Sequence, residues 1–189
     1  MNTPLLQGEL VRLVAANSET DAEWFARWSR DSEYGRLLDS EATVPRSVSQ
    51  AKKDIQKWME HEKPDQIEFV IRTLADNRLI GGIGLDGIKW THGDAFVGIG
   101  IGEREYWGNG YGTDAMRVIL RFAFMELNLR RVSLDVFEYN PRAIRSYEKA
   151  GFVVEGCERQ VLNRDGRRWD VIYMGILREE WERLNGGMK

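Results

Sequence analysis

Two clusters in this chain of 189 residues carry groups suited to chemistry. The first is Trp107-Gly108-Asn109-Gly110-Tyr111-Gly112-Thr113. Its alternating glycines let the main chain turn tightly and come close to a bulky ligand. A strongly amphipathic stretch follows at once, so the loop opens a helix with unpaired N–H groups and a positive dipole end. Main chain of this kind holds phosphate. A tight strand-to-helix turn without a ligand is the alternative reading of the loop alone. Two other phosphate motifs do not fit. Gly-x4-Gly-Lys-Ser/Thr is absent, and the spacing is Gly-x-Gly-x-Gly rather than Gly-x-Gly-x-x-Gly.

The second cluster runs from Asn140-Pro141-Arg142 through Ser146-Tyr147-Glu148 to Gly151-Phe152. Asn140 and Pro141 supply a helix cap and a first-turn proline, and Gly151 supplies the stop. Tyr147 is neutral at pH 7 and can donate a proton; as an isolated residue it reads equally as a half-buried tyrosine. Arg142, Arg145 and Lys149 read either as phosphate partners or as solvated helix charges. Cys157, His61 and His92 have no metal-ligand spacing, so no metal is expected.

Around these clusters the hydrophobic pattern alternates between the two periods of regular structure. Residues 9–14 read as a strand, and Asn17 or Ser18 caps a helix to about residue 30 with Trp24, Phe25 and Trp28 on its apolar side. A broken helical stretch covers 32–38. Residues 47–60 read as a helix with Ala51, Ile55, Trp58 and Met59 on one face, ended by Lys63-Pro64-Asp65. Strands at 67–74 and 79–88 flank the turn Asp76-Asn77-Arg78. The strand at 94–102 aligns Ala95, Val97, Ile99 and Ile101 on one face, and Gly98 and Gly100 leave the other nearly bare, a sign of close approach by a ligand. Then come a helix at 113–128, a strand at 131–137, the short helix after Asn140, and strands at 152–162 and 168–177 joined by a hairpin at 163–166. The whole is a mixed α/β sheet domain.

The glycine loop and Asn140-x-x-Ala143-x-x-x-Tyr147-Glu148-Lys149-x-Gly151-Phe152 together closely resemble the GCN5-related N-acetyltransferase (GNAT) family. Gly110 and Gly112 match the two glycines of its Arg/Gln-x-x-Gly-x-Gly/Ala loop, and Trp107 departs from the usual Arg or Gln. Trp-Gly-x-Gly-Tyr, with Glu155-Gly156, Arg159, Asp165-Gly166 and Asp170, resembles the branch of ribosomal-protein N-terminal and spermidine acetyltransferases. The resemblance covers residues 9–181, which implies one acetyltransferase domain with short tails at 1–8 and 182–189. It implies a mostly antiparallel sheet of about seven strands, flanked by helices and splayed at mid-sheet.

By that resemblance the donor is acetyl-CoA and the acceptor a primary amine on a small molecule, a polyamine or a protein N-terminus. The pyrophosphate would rest on the N–H groups of Gly108, Asn109, Gly110, Tyr111, Gly112 and Thr113, behind Trp107. The pantetheine arm would pair with Ile99, Gly100 and Ile101 and meet Asn140, with Arg142 near the phosphates. Tyr147 would be the general acid. The carboxylate that many relatives use as base aligns with Phe96, which cannot act. Asp94, Glu103, Glu105, Glu138 and His92 lie nearby; Glu138 is the chosen candidate base, and a water relay is the alternative. A lysine-like amine must lose a proton at a cost of about 4.6 kcal/mol at pH 7. A silent CoA-binding regulatory module is the competing function.

Composition narrows the partners. The 27 basic and 30 acidic residues give a net charge of −3, which argues against nucleic acid. Residues 18–41 concentrate Glu19, Asp21, Glu23, Asp31, Glu33, Asp39 and Glu41, which would favour cationic acceptors unless they are solvated helix charges. No apolar run is long enough for a membrane span, and Met1-Asn2-Thr3-Pro4-Leu5-Leu6 lacks the features of a signal peptide. A cytoplasmic protein, monomeric or homodimeric, is expected; the single cysteine fits a reducing compartment.

Overall fold

The computed structural model describes residues 4–59 and 65–186. The chain break at Lys63-Pro64, the helix end at Glu60, His61 and the extreme termini lie outside the described residues.

The chain forms β1 (Val11–Val14), α1 (Ser18–Trp28), α2 (Ser32–Leu38), α3 (Val48–Met59), β2 (Ile67–Thr73), β3 (Leu79–Lys89) and β4 (Asp94–Ile101). After a 3-10 turn come α4 (Tyr111–Met125), β5 (Arg131–Phe137), α5 (Pro141–Ala150), β6 (Val153–Arg164), β7 (Arg167–Leu177) and α6 (Arg178–Leu184). The helix caps are local and legible. Asn17 accepts from Glu19 N, Asp31 from Glu33 N and Tyr34 N, and Asn140 from Ala143 N. Gly151, at φ 106°, stops α5 in the left-handed region.

Two details differ from the sequence reading. The second hairpin is tighter than expected, because β6 and β7 pair as far as Arg164 and Arg167. Only Asp165 and Gly166 form the turn, at φ 54° and 72°, as a two-residue hairpin requires. The helix α6 was not anticipated. Its seven residues bury only Trp181, which packs on Phe124 at 5.5 Å, too little for a periodic signal.

The seven strands form one sheet in the order β1-β2-β3-β4-β5-β7-β6. All neighbours are antiparallel except β4 and β5, which run parallel. That pair is joined only at Asp94–Arg131, Ala95–Val132 and Phe96–Ser133. Beyond Phe96 the strands part, β4 staying with β3 and β5 with β7. On one face α4 buries Met116, Ile119, Leu120 and Phe124 against Ile83, Leu85, Val97, Val132 and Leu134. Each such side chain contributes about 1.5–3 kcal/mol by leaving water. On the other face Ala22 and Ala26 of α1 pack on Ala51 and Ile55 of α3, and Trp28 packs on Val70 and Leu79.

Candidate active site

The parting of β4 from β5 opens a cleft of about 470 Å³. Ile99, Gly100 and Ile101 form one wall, Asn140, Arg142 and Tyr147 another, and Trp107, Gly108, Gly110, Gly112 and Thr113 close one end. Antiparallel ladders alternate their hydrogen-bonding direction. Gly102 N donates to Ile80 O at 2.8 Å, so Gly98, Gly100 and Gly102 face β3, and the peptide groups of Ile99 and Ile101 turn into the cleft. The Ile101 carbonyl accepts from Trp107 Nε1 at 2.6 Å. Ile99 has no strand opposite its N–H and C=O, which leaves an edge suited to another extended chain.

The loop is built around its glycines. Gly108 and Gly110 have φ of 77° and 89°, where a side chain is strained. A Cβ on Gly108 would meet nothing within 4 Å, and one on Gly112 nothing nearer than 3.8 Å. Open space therefore lies beside the first N–H groups of α4, and a side chain would fill it. Arg117, Arg145 and Lys149 add positive charge to the lining, and Thr113 and Ser146 join α4 to α5 by a 2.8 Å hydroxyl contact. The Arg142 guanidinium lies 3.8 Å from the Trp107 ring centroid, a cation–π contact that gives the departure at Trp107 a structural role. Asn109 and Tyr111 are not among the lining residues. Asn109 Nδ2 donates to Glu105 O at 2.9 Å, and Tyr111 meets Tyr106 edge-on at 4.8 Å, so both brace the loop.

Tyr147 stands where the cleft runs into the fork of β4 and β5, its ring edge-on to Phe152 at 6.2 Å. Its hydroxyl has no hydrogen-bond partner among the described residues. Burial pushes its pKa up to about 12, and the Asp135 carboxylate adds to the shift while Arg142 opposes it. The phenol thus keeps its proton across the neutral and mildly alkaline range.

Glu138 does not reach the cleft. It is exposed, and its Oε2 accepts from Asp170 N of the neighbouring β7 at 3.2 Å. The other carboxylates near the cluster are also engaged elsewhere. Asp94 pairs with Lys89 at 3.4 Å and Glu105 with Arg78 at 2.8 Å. Burial raises the Glu103 pKa, but hydrogen bonds from Trp28, Arg27 and Arg78 outweigh it and hold the group below the usual range. His92 is exposed and outside the lining. Asp135, which the sequence reading passed over, does line the fork, and burial raises its pKa. The strand alternation contained that signal, since Asp135 sits opposite in phase to the buried Leu134 and Val136.

The bare face of β4 is narrower than the glycine pattern suggested. Tyr34 Oη and Leu38 Cδ1 would lie 2.6 and 3.0 Å from a Cβ at Gly100, so α2 covers that glycine. Gly98 alone stays open, with nothing within 4 Å. Tyr34, Leu37 and Leu38, also unforeseen, line the cleft. Of the acidic run, Glu19 pairs with Lys52, Asp21 with Arg72, and Asp31 and Glu33 with Arg104, which weakens its long-range field. Trp24, Trp28 and Trp58 stay out of the cleft lining; Trp28 packs in the core as expected and Trp24 is partly buried beside it, whereas Trp58 is exposed and only meets Phe25 edge-on at 5.3 Å. No group of His, Cys, Asp and Glu suited to a metal occurs among the described residues.

Residues 11–153 match the family model described as Acetyltransferase (GNAT) domain. The chain is 32% identical over 160 residues to the SPbeta prophage-derived uncharacterized N-acetyltransferase YokL of Bacillus subtilis, covering 84% of this chain and 86% of that one. YdaF of the same organism, which carries a provisional ribosomal N-acetyltransferase name, is 34% identical over 109 residues, 58% of this chain and 59% of that one. The fold is similar to that of spermidine N-acetyltransferase from Vibrio cholerae in complex with CoA and spermine, with a TM-score of 0.79, 26% identity, and coverage of 90% of this chain and 97% of that one. With the split sheet, the glycine loop and these likenesses together, the chain belongs to the GNAT acetyltransferase family and is an N-acetyltransferase.

Proposed function

We propose that the protein moves an acetyl group from acetyl-CoA to a primary amine by direct attack. The observation that carries this reading is the fork between β4 and β5, which has a phosphate cradle at one end and an unpartnered tyrosine hydroxyl at the other. The residues suit such a donor. The N–H groups from Gly108 to Thr113 receive the pyrophosphate in the space beside Gly108 and Gly112, and Arg142, Arg145 and Lys149 balance its charge. The unpaired edge at Ile99 takes the pantetheine arm as an added strand. The thioester supplies an activated acetyl carbon.

The protein then does three things. The Ile99 N–H faces the oxygen on which negative charge develops. Tyr147 gives its proton to the departing sulfur, and its raised pKa keeps that proton available. Tyr34, Leu37 and Leu38 wall the acceptor side and exclude bulk water from the fork. The acceptor is a polyamine, another small amine or a polypeptide N-terminus.

Release of free thiol from acetyl-CoA is the test, measured against polyamines, amino acids, aminoglycosides and N-terminal peptides. Transfer to at least one of these is expected. Tight acetyl-CoA binding with no transfer to any amine would instead support the regulatory module.

A further inference from the structure

One open window remains on the α1–α3 side of the sheet, and its boundaries are side chains from five elements. Cross-strand partners point to the same face, so Glu68, Gly84 and Gly98 form one lane across β2, β3 and β4. The neighbouring lane is filled. Phe25 covers Gly82 at 3.7 Å, and Tyr34 and Leu38 cover Gly100. In the open lane the Glu68 carboxylate lies directly over Gly84, its Oε2 only 2.1 Å from where a Cβ would stand. The next position, Gly98, has nothing within 4 Å. Directly opposed Cβ positions on adjacent strands are about 5 Å apart. The Glu68 carboxylate, itself outside the cleft lining, therefore ends about one strand spacing from the space over Gly98, the floor of the fork that Tyr147 and Asp135 also line.

We propose that Glu68 is the general base of this enzyme, reaching across Gly84 to take the proton of an amine held over Gly98. The assignment rests on the reading that the fork transfers an acetyl group to an amine. It gives Gly84 and Gly98 one shared purpose: both omit a side chain so that a carboxylate two strands away can meet the acceptor. It also accounts for a base where the Phe96 position offers none. Burial, with the neighbouring Asp86 carboxylate adding repulsion, pushes Glu68 up to about 7, and Asp86 is the charged neighbour that acts on it among the described residues. Only the carboxylate end over Gly84 is desolvated; Glu68 as a whole is exposed, so its proton can leave to solvent.

The step balances. The Glu68 carboxylate takes one proton from the ammonium, which frees the nitrogen lone pair. The N–C bond forms and the C–S bond breaks. Tyr147 gives its proton to sulfur and regains one from the acylated nitrogen through water, and Glu68 returns its proton to solvent.

The experiment measures kcat from pH 5.5 to 9.5 at saturating acetyl-CoA and amine for the wild type, Glu68→Gln, Gly84→Ala and Asp135→Asn, with melting curves and acetyl-CoA calorimetry on each. Glu68→Gln is expected to lower kcat by about 100-fold, erase the rise near pH 7 and leave acetyl-CoA affinity unchanged. Gly84→Ala is expected to reproduce that lesion with Glu68 intact, because its Cβ displaces the carboxylate. Two results would overturn the proposal alone: Glu68→Gln keeping both rate and limb, or Asp135→Asn erasing the limb in its place. A wild type that binds acetyl-CoA but acetylates no amine overturns both this assignment and the reading beneath it.

Discussion

The two walls of the cleft are made in different ways. The wall proposed to hold the donor rests on α4, whose 15 residues include eight buried ones, Ile119, Leu120 and Phe124 among them. The wall proposed for the acceptor rests on α2, whose seven residues include no buried one. Besides the packing of Tyr34 on Trp28, polar contacts hold α2. Tyr139 Oη donates to Arg36 O at 2.8 Å, and Arg164 Nη2 donates to the carbonyls of Asp39, Ser40 and Glu41 at 2.7, 2.9 and 3.1 Å. Arg104 holds Asp31 at 2.6 Å. Each such bond nets about 0.5–1.5 kcal/mol, less than one buried leucine. A change at the α4 wall thus costs the core, whereas a change on α2 away from Tyr34 costs a few surface bonds.

The sharpest way to break this contrast is at Gly110. Its φ of 89° and its place at the N-terminus of α4 put backbone strain and the proposed donor contact in one residue. Gly110→Val is expected to lower acetyl-CoA affinity at least about 100-fold by calorimetry, since even a 2.7 kcal/mol loss reaches that. Normal affinity in a folded variant would remove the loop from the donor site. Next in size is Tyr147→Phe, expected to cut kcat by about 50- to 100-fold and leave acetyl-CoA affinity intact. Because the phenol sits at about 12, wild-type turnover should show no decline from Tyr147 ionisation between pH 8 and 10. A descending limb there that vanishes in Tyr147→Phe would contradict the burial that raises this group.

The acceptor wall should respond differently. Arg164→Ala frees the segment after α2 and is expected to raise the acceptor KM about three- to tenfold, the equivalent of one or two surface hydrogen bonds. Acetyl-CoA affinity and melting temperature should barely move, and a large fall in either would show that the walls are coupled. The smallest effect is expected from Trp107→Phe. It removes the indole bond to Ile101 O but keeps a ring under Arg142, so donor affinity should fall by about fivefold or less.

The legibility of the sequence follows the same division. The strands, the glycine loop, the cap at Asn140 and the stop at Gly151 were readable because they are local: period, propensity and left-handed glycine act within a few residues. Tyr147 was singled out by the family resemblance, and the fold sets it at the fork. The acceptor side was not, because its geometry depends on strand register. Glu68 lies outside both motifs, and only the pairing Glu68–Gly84–Gly98 brings it beside the fork. Glu138 failed for the converse reason. It is close to Asn140 in sequence, yet it falls past the end of β5 and bonds to Asp170 of the neighbouring strand. Gly100 misled because a missing side chain accommodates a protein side chain, here Tyr34, as readily as a ligand.

The three-pair seam between β4 and β5 has a thermodynamic consequence. Past Phe96 the middle of the sheet lacks one strand's worth of hydrogen bonding, in a region walled by protein. A donor that pairs with Ile99 completes the sheet as well as occupying a pocket, so binding and folding draw on the same contacts. At a donor concentration one hundred times its Kd, the folded state would gain about 2.7 kcal/mol. The concentration of its own substrate would then set how firmly the two half-sheets stay together.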